Sequence, residues 1–212
     1  VRTMSTAGAA RRAGFTLVET LIALAVFTVL LAIGVPRMSD WAAASKAAAA
    51  AQFYAEGLGL ARAKALAHNS ASRLVLSPNA DSGQYDWRVD LCFPTPEAPC
   101  NEAAGAWSTV ADPVKPDGAA GAGFNSVQRS ADALPAAERL SVTPGPDGAT
   151  AVYFTPLGWI DTRIEPRMMR IDLAPAASAP PFPAASLVMT LGGIAIRCAP
   201  DAAANDSRRC PE

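Results

Sequence analysis

Between Phe15 and Val35 the chain is apolar apart from Thr16, Glu19, Thr20, Thr28 and Gly34. At about 1.5 Å of rise per helical residue, these 21 positions reach roughly 32 Å, enough to cross a hydrocarbon core of about 30 Å. The residues ahead of the span, Val1 to Gly14, are small, polar and basic, with Arg2, Arg11 and Arg12 and no acid. The positive-inside tendency keeps that stretch cytoplasmic and sends the remainder of the chain outward. A secretory signal peptide has a shorter apolar region followed by a small-residue cleavage site. Pro36 and Arg37 follow this span instead, which argues against its removal.

The rest of the composition narrows the field. A length of 212 residues allows one ordinary domain plus an appendage. With 18 Lys and Arg against 19 Asp and Glu, the formal net charge of −1 gives no global electrostatic reason to bind nucleic acid. Half the residues are hydrophobic, but only 7% are aromatic, so Ala, Leu and Val carry the count and much of it sits in the N-terminal block. One histidine and four cysteines leave few ligands for a zinc site. The balance argues against a DNA-wrapping protein and a polytopic membrane protein, and gives little support to a metalloenzyme.

Glu19 is the costly residue of the span. A carboxylate inside a spanning helix costs roughly 2.5–3.5 kcal/mol on insertion scales, and such a group usually has a partner. The next cation in the chain is Arg37, too far along to serve it. Together with the residues before it, Ala13-Gly14-Phe15-Thr16-Leu17-Val18-Glu19 resembles the processing site of type IV prepilins and type II secretion pseudopilins. In that family a dedicated peptidase cuts after the glycine, the new terminal Phe is N-methylated, and the Glu serves assembly. The resemblance makes Gly14 the cleavage residue, Phe15 the methylated terminus and Glu19 the assembly carboxylate. It continues through Thr20-Leu21-Ile22-Ala23-Leu24-Ala25 to Pro36, where the family's long helix often bends.

Past Pro36 the helical pattern changes character. Ala42 to Ala51 is nearly all alanine, the best helix former. Tyr54, Leu58, Ala61 and Ala65 then recur at four- and three-residue steps, one apolar stripe fit to dock on a sheet, with Arg62 and Lys64 off it. Gly57 and Gly59 each cost about 1 kcal/mol in a helix interior, which suggests tight packing or a local bend. The helix is expected to run to about Ala67, with Asn69 near its end.

Residues 70–212 read as β-rich. Strands are expected at Ser72–Leu76, Tyr85–Cys92, Leu140–Thr143, Ala151–Thr155, Arg167–Leu173 and Ser186–Cys198, the last as two strands turning at Gly192-Gly193. Turn chemistry separates them at Pro78-Asn79, Asp81-Ser82-Gly83, Pro144 to Gly148 and Pro156-Leu157-Gly158. The stretch 94–135, rich in Ala, Gly and Pro, reads as a long loop with one short strand near Trp107. The order of elements is similar to GspH/FimT-type minor pilins. Leu60 to Ala67 followed by Asn69, Asp86-Trp87-Arg88-Val89 and Val152 to Gly158 carry that likeness.

Four cysteines in an exported domain suggest two disulfides. Of the three possible pairings, Cys92–Cys100 with Cys198–Cys210 is favoured because each bond closes a short loop, contributing roughly 2–3 kcal/mol. Cys-x-x-Cys spacing, which a metal site would need, is absent. His68 is the sole histidine, at the expected end of the long helix, where a surface or capping role suffices. Asp86, Asp90, Asp161, Glu165 and Asp172 stand at no telling spacing and read as solvated carboxylates. No nucleophile elbow or phosphate loop is present, so the reading is not an enzyme, with no cofactor and no metal.

Some FimT-like pilins bind DNA through a late Gly-Arg-x-Arg pattern. Here the stretch is Gly193-Ile194-Ala195-Ile196-Arg197-Cys198, with isoleucine at both arginine positions. Phosphate contacts supply most non-specific affinity, so nucleic-acid binding is disfavoured. The expectation is an α+β, pilin-like chain. Residues 1–14 form a leader removed by prepilin peptidase, 15–68 the pilin helix with 15–35 transmembrane, and 69–212 a periplasmic head with antiparallel sheets. The resemblance implies a minor pilin near the tip of a type IV pilus that helps start assembly. The alternatives are a GspH-like minor pseudopilin of a type II secretion system, or a DNA-uptake pilin. Implied partners are major and minor pilins, the prepilin peptidase and the inner-membrane assembly platform. The implied location is the inner membrane by a single pass, then the pilus or pseudopilus.

Overall fold

A computed structural model describes residues 15–96, 99–101 and 105–211. Gly14, to which the cleavage was assigned, lies outside them. The chain divides between Trp41 and Ala42 into two compact units. Helix α1, Leu17–His68, contributes to both and runs through Pro36. In the first unit its apolar side chains from Phe15 to Val35 are exposed, and the helix is long and apolar enough to cross a membrane.

In the second unit α1 carries the docking stripe. Tyr54, Leu58, Ala61 and Ala65 are all buried, while Arg62 and Lys64 are only half-buried. The two glycines part company. A Cβ on Gly57 would stand 2.7 Å from Leu74 and 2.9 Å from Trp87, whereas Gly59 faces open space. The helix therefore needs Gly57 so that its backbone can lie against two large side chains, and nothing around Gly59 makes a similar demand. Asn69 ends the helix with φ 46°, a left-handed conformation that Asn tolerates better than most residues. The Ser70 amide reaches back to the Ala65 carbonyl at 3.1 Å and the Asn69 amide to Leu66 at 3.5 Å, a Schellman closure.

Two four-stranded antiparallel sheets follow. The first holds β1 (Ala71–Pro78), β2 (Tyr85–Cys92), β3 (Val127–Arg129) and β5 (Ala151–Phe154) in the order β3-β2-β1-β5. The second holds β4 (Leu140–Gly145), β6 (Arg170–Pro175), β7 (Ala185–Met189) and β8 (Ala195–Cys198) in the order β4-β6-β7-β8. The β1–β2 hairpin pairs eight residues a side, from Ala71 with Cys92 to Pro78 with Tyr85. Its turn is wound on Asn79, whose side-chain oxygen accepts from the amides of Asp81 and Ser82 and from the Ser82 hydroxyl. Leu74 and Leu76 of β1 and Trp87 and Val89 of β2 meet the helix stripe in one core, which extends to Ile171, Leu173 and Leu187 of the second sheet. This is an α+β fold. Three polar links fix the helix to the first sheet: Trp87 Nε1 donates to the Phe53 carbonyl at 3.0 Å, Ser72 Oγ to Ala61 at 2.6 Å, and the Tyr54 hydroxyl to Tyr85 at 3.1 Å.

Three details correct the sequence reading. No strand forms at Trp107 among the described residues; the strand inside the 94–135 loop is β3, which pairs Val127 with Val89 and Arg129 with Trp87. All three β3 residues are exposed, so no alternation marked it, and Trp107 is held by its side chain instead. Its indole donates to the Asn101 carbonyl at 2.9 Å and lies 4.4 Å from the Arg73 guanidinium. The third difference is β6, which begins at Arg170 rather than Arg167. The two residues before it are spent elsewhere: the Met168 amide bonds Ala151 of β5, and the Met169 amide bonds Gly145 of β4.

Candidate functional site

The candidate site is the start of α1. Thr16 is its N-cap: the Thr16 hydroxyl accepts the Glu19 amide at 3.2 Å, satisfying one of the donors that a helix start leaves free. Thr16-Leu17-Val18-Glu19 has the capping-box spacing, a helix-start signal carried by the sequence itself. Phe15 sits just ahead of the helix, 81% exposed, and Glu19 is exposed in its first turn. A helix N-terminus favours negative charge there. The span's other hydroxyls are satisfied within the helix, Thr20 Oγ1 donating to Leu17 at 2.8 Å and Thr28 Oγ1 to Leu24 at 2.7 Å. Glu19 is the one ionisable side chain of the segment 15–35, and it stands in the first turn of the helix.

The head cysteines are bonded as Cys92–Cys100 and Cys198–Cys210. Cys92 ends β2 and Cys198 ends β8, so each bond ties the exit of a strand to the segment that follows. Inside the loop that the second bond closes, the Ala199 amide donates to the Arg208 carbonyl at 2.7 Å.

The acids considered for chemistry are occupied in structure. Asp90 is not a solvated carboxylate; it is fully buried. It accepts from Arg73 Nε at 2.9 Å, Arg88 Nε at 2.7 Å and Ser126 Oγ at 2.7 Å. Ser126, 36 residues further along the chain, reaches Asp90 from outside the strand, a long-range contact that alternation along β2 does not signal. Asp161 is also buried, and its bonds with Arg163 hold its carboxyl below the usual range. Asp86 accepts from Asn79 and from the Ala131 amide, Asp172 from Arg170 and Ser186, and Glu165 from Arg167. A cavity of about 380 Å³ runs past Pro94, Cys100, Thr155 and Asp161, but the charge at its wall is the closed Asp161–Arg163 pair. His68 is half-buried with its ring 4.1 Å from that of Phe124, and burial, with Lys64 nearby, lowers its pKa. Among the described residues no group of three His, Cys, Asp or Glu side chains is arranged to hold a metal ion.

Comparison with known proteins bears on the N-terminal segment. Residues 9–35 match the prokaryotic N-terminal methylation motif. No curated protein and no solved structure matches the chain. The apolar helix that begins inside the matched motif fits a membrane-anchored pilin. The motif implies processing by prepilin peptidase and assembly with other pilins in a membrane system, and it supports a type IV pilin-like prepilin.

Proposed function

We propose that the chain is a minor pilin of a type IV pilus, placed at or near the filament tip and helping to initiate assembly. The observation that carries this is an exposed Glu19 in the first turn of an exposed apolar helix, inside the matched motif. Hydrolysis of the Gly14–Phe15 peptide bond leaves a carboxylate on Gly14 and an ammonium on Phe15. N-methylation keeps that amine basic. The ammonium lies at the positive end of a helix dipole, which disfavours it, while the same dipole favours Glu19. A neighbouring subunit resolves both: its Phe15 ammonium meets this chain's Glu19 at low dielectric, where a pair interacts more strongly than in water. Both charges lose hydration, so the pair sets register more than it adds stability. Pro36 is where we place a bend between the membrane half of the helix and the half that enters the head. The head then faces the periplasm until assembly.

The test is Glu19→Ala expressed in cells that make the filament. Processing to a methylated Phe15 and membrane insertion are expected to continue, while the protein disappears from sheared filaments. Normal incorporation of the variant contradicts the assignment. A minor pseudopilin uses the same parts; recovery in secretion-dependent rather than pilus fractions would decide for it. DNA uptake has less support, because Ile194 and Ile196 are exposed where arginines would be needed.

A further inference from the structure

Just past the apolar run 15–35, α1 carries Arg37, Met38 and Trp41. All three are exposed, Met38 by 70% and Trp41 by 72%. Neither large side chain belongs to the packed core, and Trp41 is the last residue of the first compact unit. Trp41 stands four positions after Arg37 and three after Met38, so the three share one side of the helix. An indole, with an apolar body and one N–H donor, suits the boundary between hydrocarbon and water. A guanidinium on an apolar stem can carry its charge out to the same level, where lipid phosphates accept from it. Asp40 is exposed in the same turn, at a level where a carboxylate meets water. Residues of these types, one turn beyond an apolar run, fit the headgroup layer of a bilayer.

Length decides where the bilayer lies along the helix. From Glu19 to Arg37, the charges that bracket the run, the rise is roughly 27 Å. A hydrocarbon core is about 30 Å thick. Set between these two side chains, the core encloses residues 20–36, which carry no charge. Set on 15–35 instead, it draws Glu19 about one turn inside, an expensive place for a carboxylate. One further turn outward from each charge brings Phe15 at one end and Trp41 at the other. These two lie roughly 39 Å apart along the axis, against about 40–45 Å for a bilayer with its headgroup layers. Both charges and both aromatic side chains thus fall at matching depths. The direction agrees as well: Arg2, Arg11 and Arg12 precede the Phe15 end, and Arg37 alone marks the other.

We propose that Arg37, Met38 and Trp41 anchor the helix in the phospholipid headgroup layer on the head's side of the membrane, and that this anchor sets the hydrocarbon span at 19–37 rather than 15–35. The proposal rests on the membrane-anchored helix of the reading above, not on the cleavage. A resident subunit then keeps Glu19 at the wetted inner boundary, and the carboxylate loses its hydration only when a neighbour's Phe15 ammonium meets it. The test reconstitutes the full chain in vesicles of phosphatidylethanolamine and phosphatidylglycerol, spin-labelled at a cysteine introduced at Ile22, Ala25, Thr28 or Leu31. The four native cysteines are paired, so the introduced thiol alone takes the label. Collision with oxygen, which concentrates at the bilayer centre, is expected to peak at Thr28 and to be equal at Ala25 and Leu31. A peak at Ala25, the centre of 15–35, overturns the proposal. Glu19→Leu separates the anchor from the carboxylate. In that variant the peak is expected to stay at Thr28, to shift towards Ala25 once Trp41→Ala is added, and to hold at Thr28 with Trp41→Tyr. If Glu19→Leu alone moves the peak, or added Trp41→Ala does not, the anchor is refuted. An uncut N-terminus in cells defeats the pilin reading without moving the peak, and a peak at Ala25 defeats the register in a chain that is still cut and incorporated.

Discussion

Tyr54 is fully buried on α1, and its hydroxyl both donates to the Tyr85 carbonyl and accepts the Tyr85 amide at 3.3 Å. Burial pushes its phenol up to about 12. The unfolded chain loses that proton near the ordinary value of about 10, so the folded state holds it more tightly. The stability tied to the neutral phenol is fully present below that ordinary value and is lost as pH rises through about 12. An alkaline titration followed by phenolate absorbance is expected to show a late step that Tyr54→Phe removes. If the variant titrates identically to the parent, the buried hydroxyl has been misjudged. The sequence marked Tyr54 as one apolar position in a stripe. That its hydroxyl faces the end of β2 depends on which hairpin edge the helix lies against.

At the scale of the helix, Gly57 and Gly59 look equivalent in a sequence, each a break in an otherwise strong helix former. Packing separates them. Gly57→Ala forces a methyl into Leu74 and Trp87, an overpacking cost of typically 1–3 kcal/mol that outweighs the gain in helix propensity. Gly59→Ala meets nothing within 4 Å and is expected to stabilise by about 0.5–1 kcal/mol. Urea denaturation of the detergent-solubilised chain measures both. Two variants shifting in the same direction would argue against the close helix–sheet approach. Strand positions were largely legible for a similar reason. β2 begins and ends where its sequence pattern does, and Ala185–Met189 and Ala195–Cys198 flank the turn at Gly192-Gly193. β3 was not, because three exposed residues on a sheet edge have no apolar face to announce them.

For the whole molecule, the two disulfides and the Asp90 cluster tie together segments that lie outside the main core. Cys198–Cys210 fixes the C-terminal segment, where Ala199 and Arg209 form an isolated parallel bridge, beside the end of edge strand β8. Replacing both cysteines by serine is expected to lower unfolding stability by roughly 2–3 kcal/mol. Chemical denaturation under non-reducing conditions reads this, and an unchanged midpoint would show that the bond adds nothing. The loop 94–135 illustrates the other side. Its composition reads as a wandering excursion, yet its middle part lies on β2 through Ser108, whose hydroxyl accepts the Leu91 amide at 2.9 Å and lies 2.8 Å from Ser126 Oγ.

The local sequence alone determined the N-terminal segment: a basic stretch, a Gly-Phe junction, a single carboxylate and twenty-odd apolar residues define a helix and a membrane preference without reference to the rest of the chain, because helix geometry and transfer from water depend only on near neighbours. It also determined the docking stripe and most strands, whose periodicity is local in the same sense. The tertiary structure alone decided which glycine is required and why Asp90 is buried. Each of these depends on residues far apart in the chain being brought together, and a sequence pattern does not record how closely two distant backbones approach.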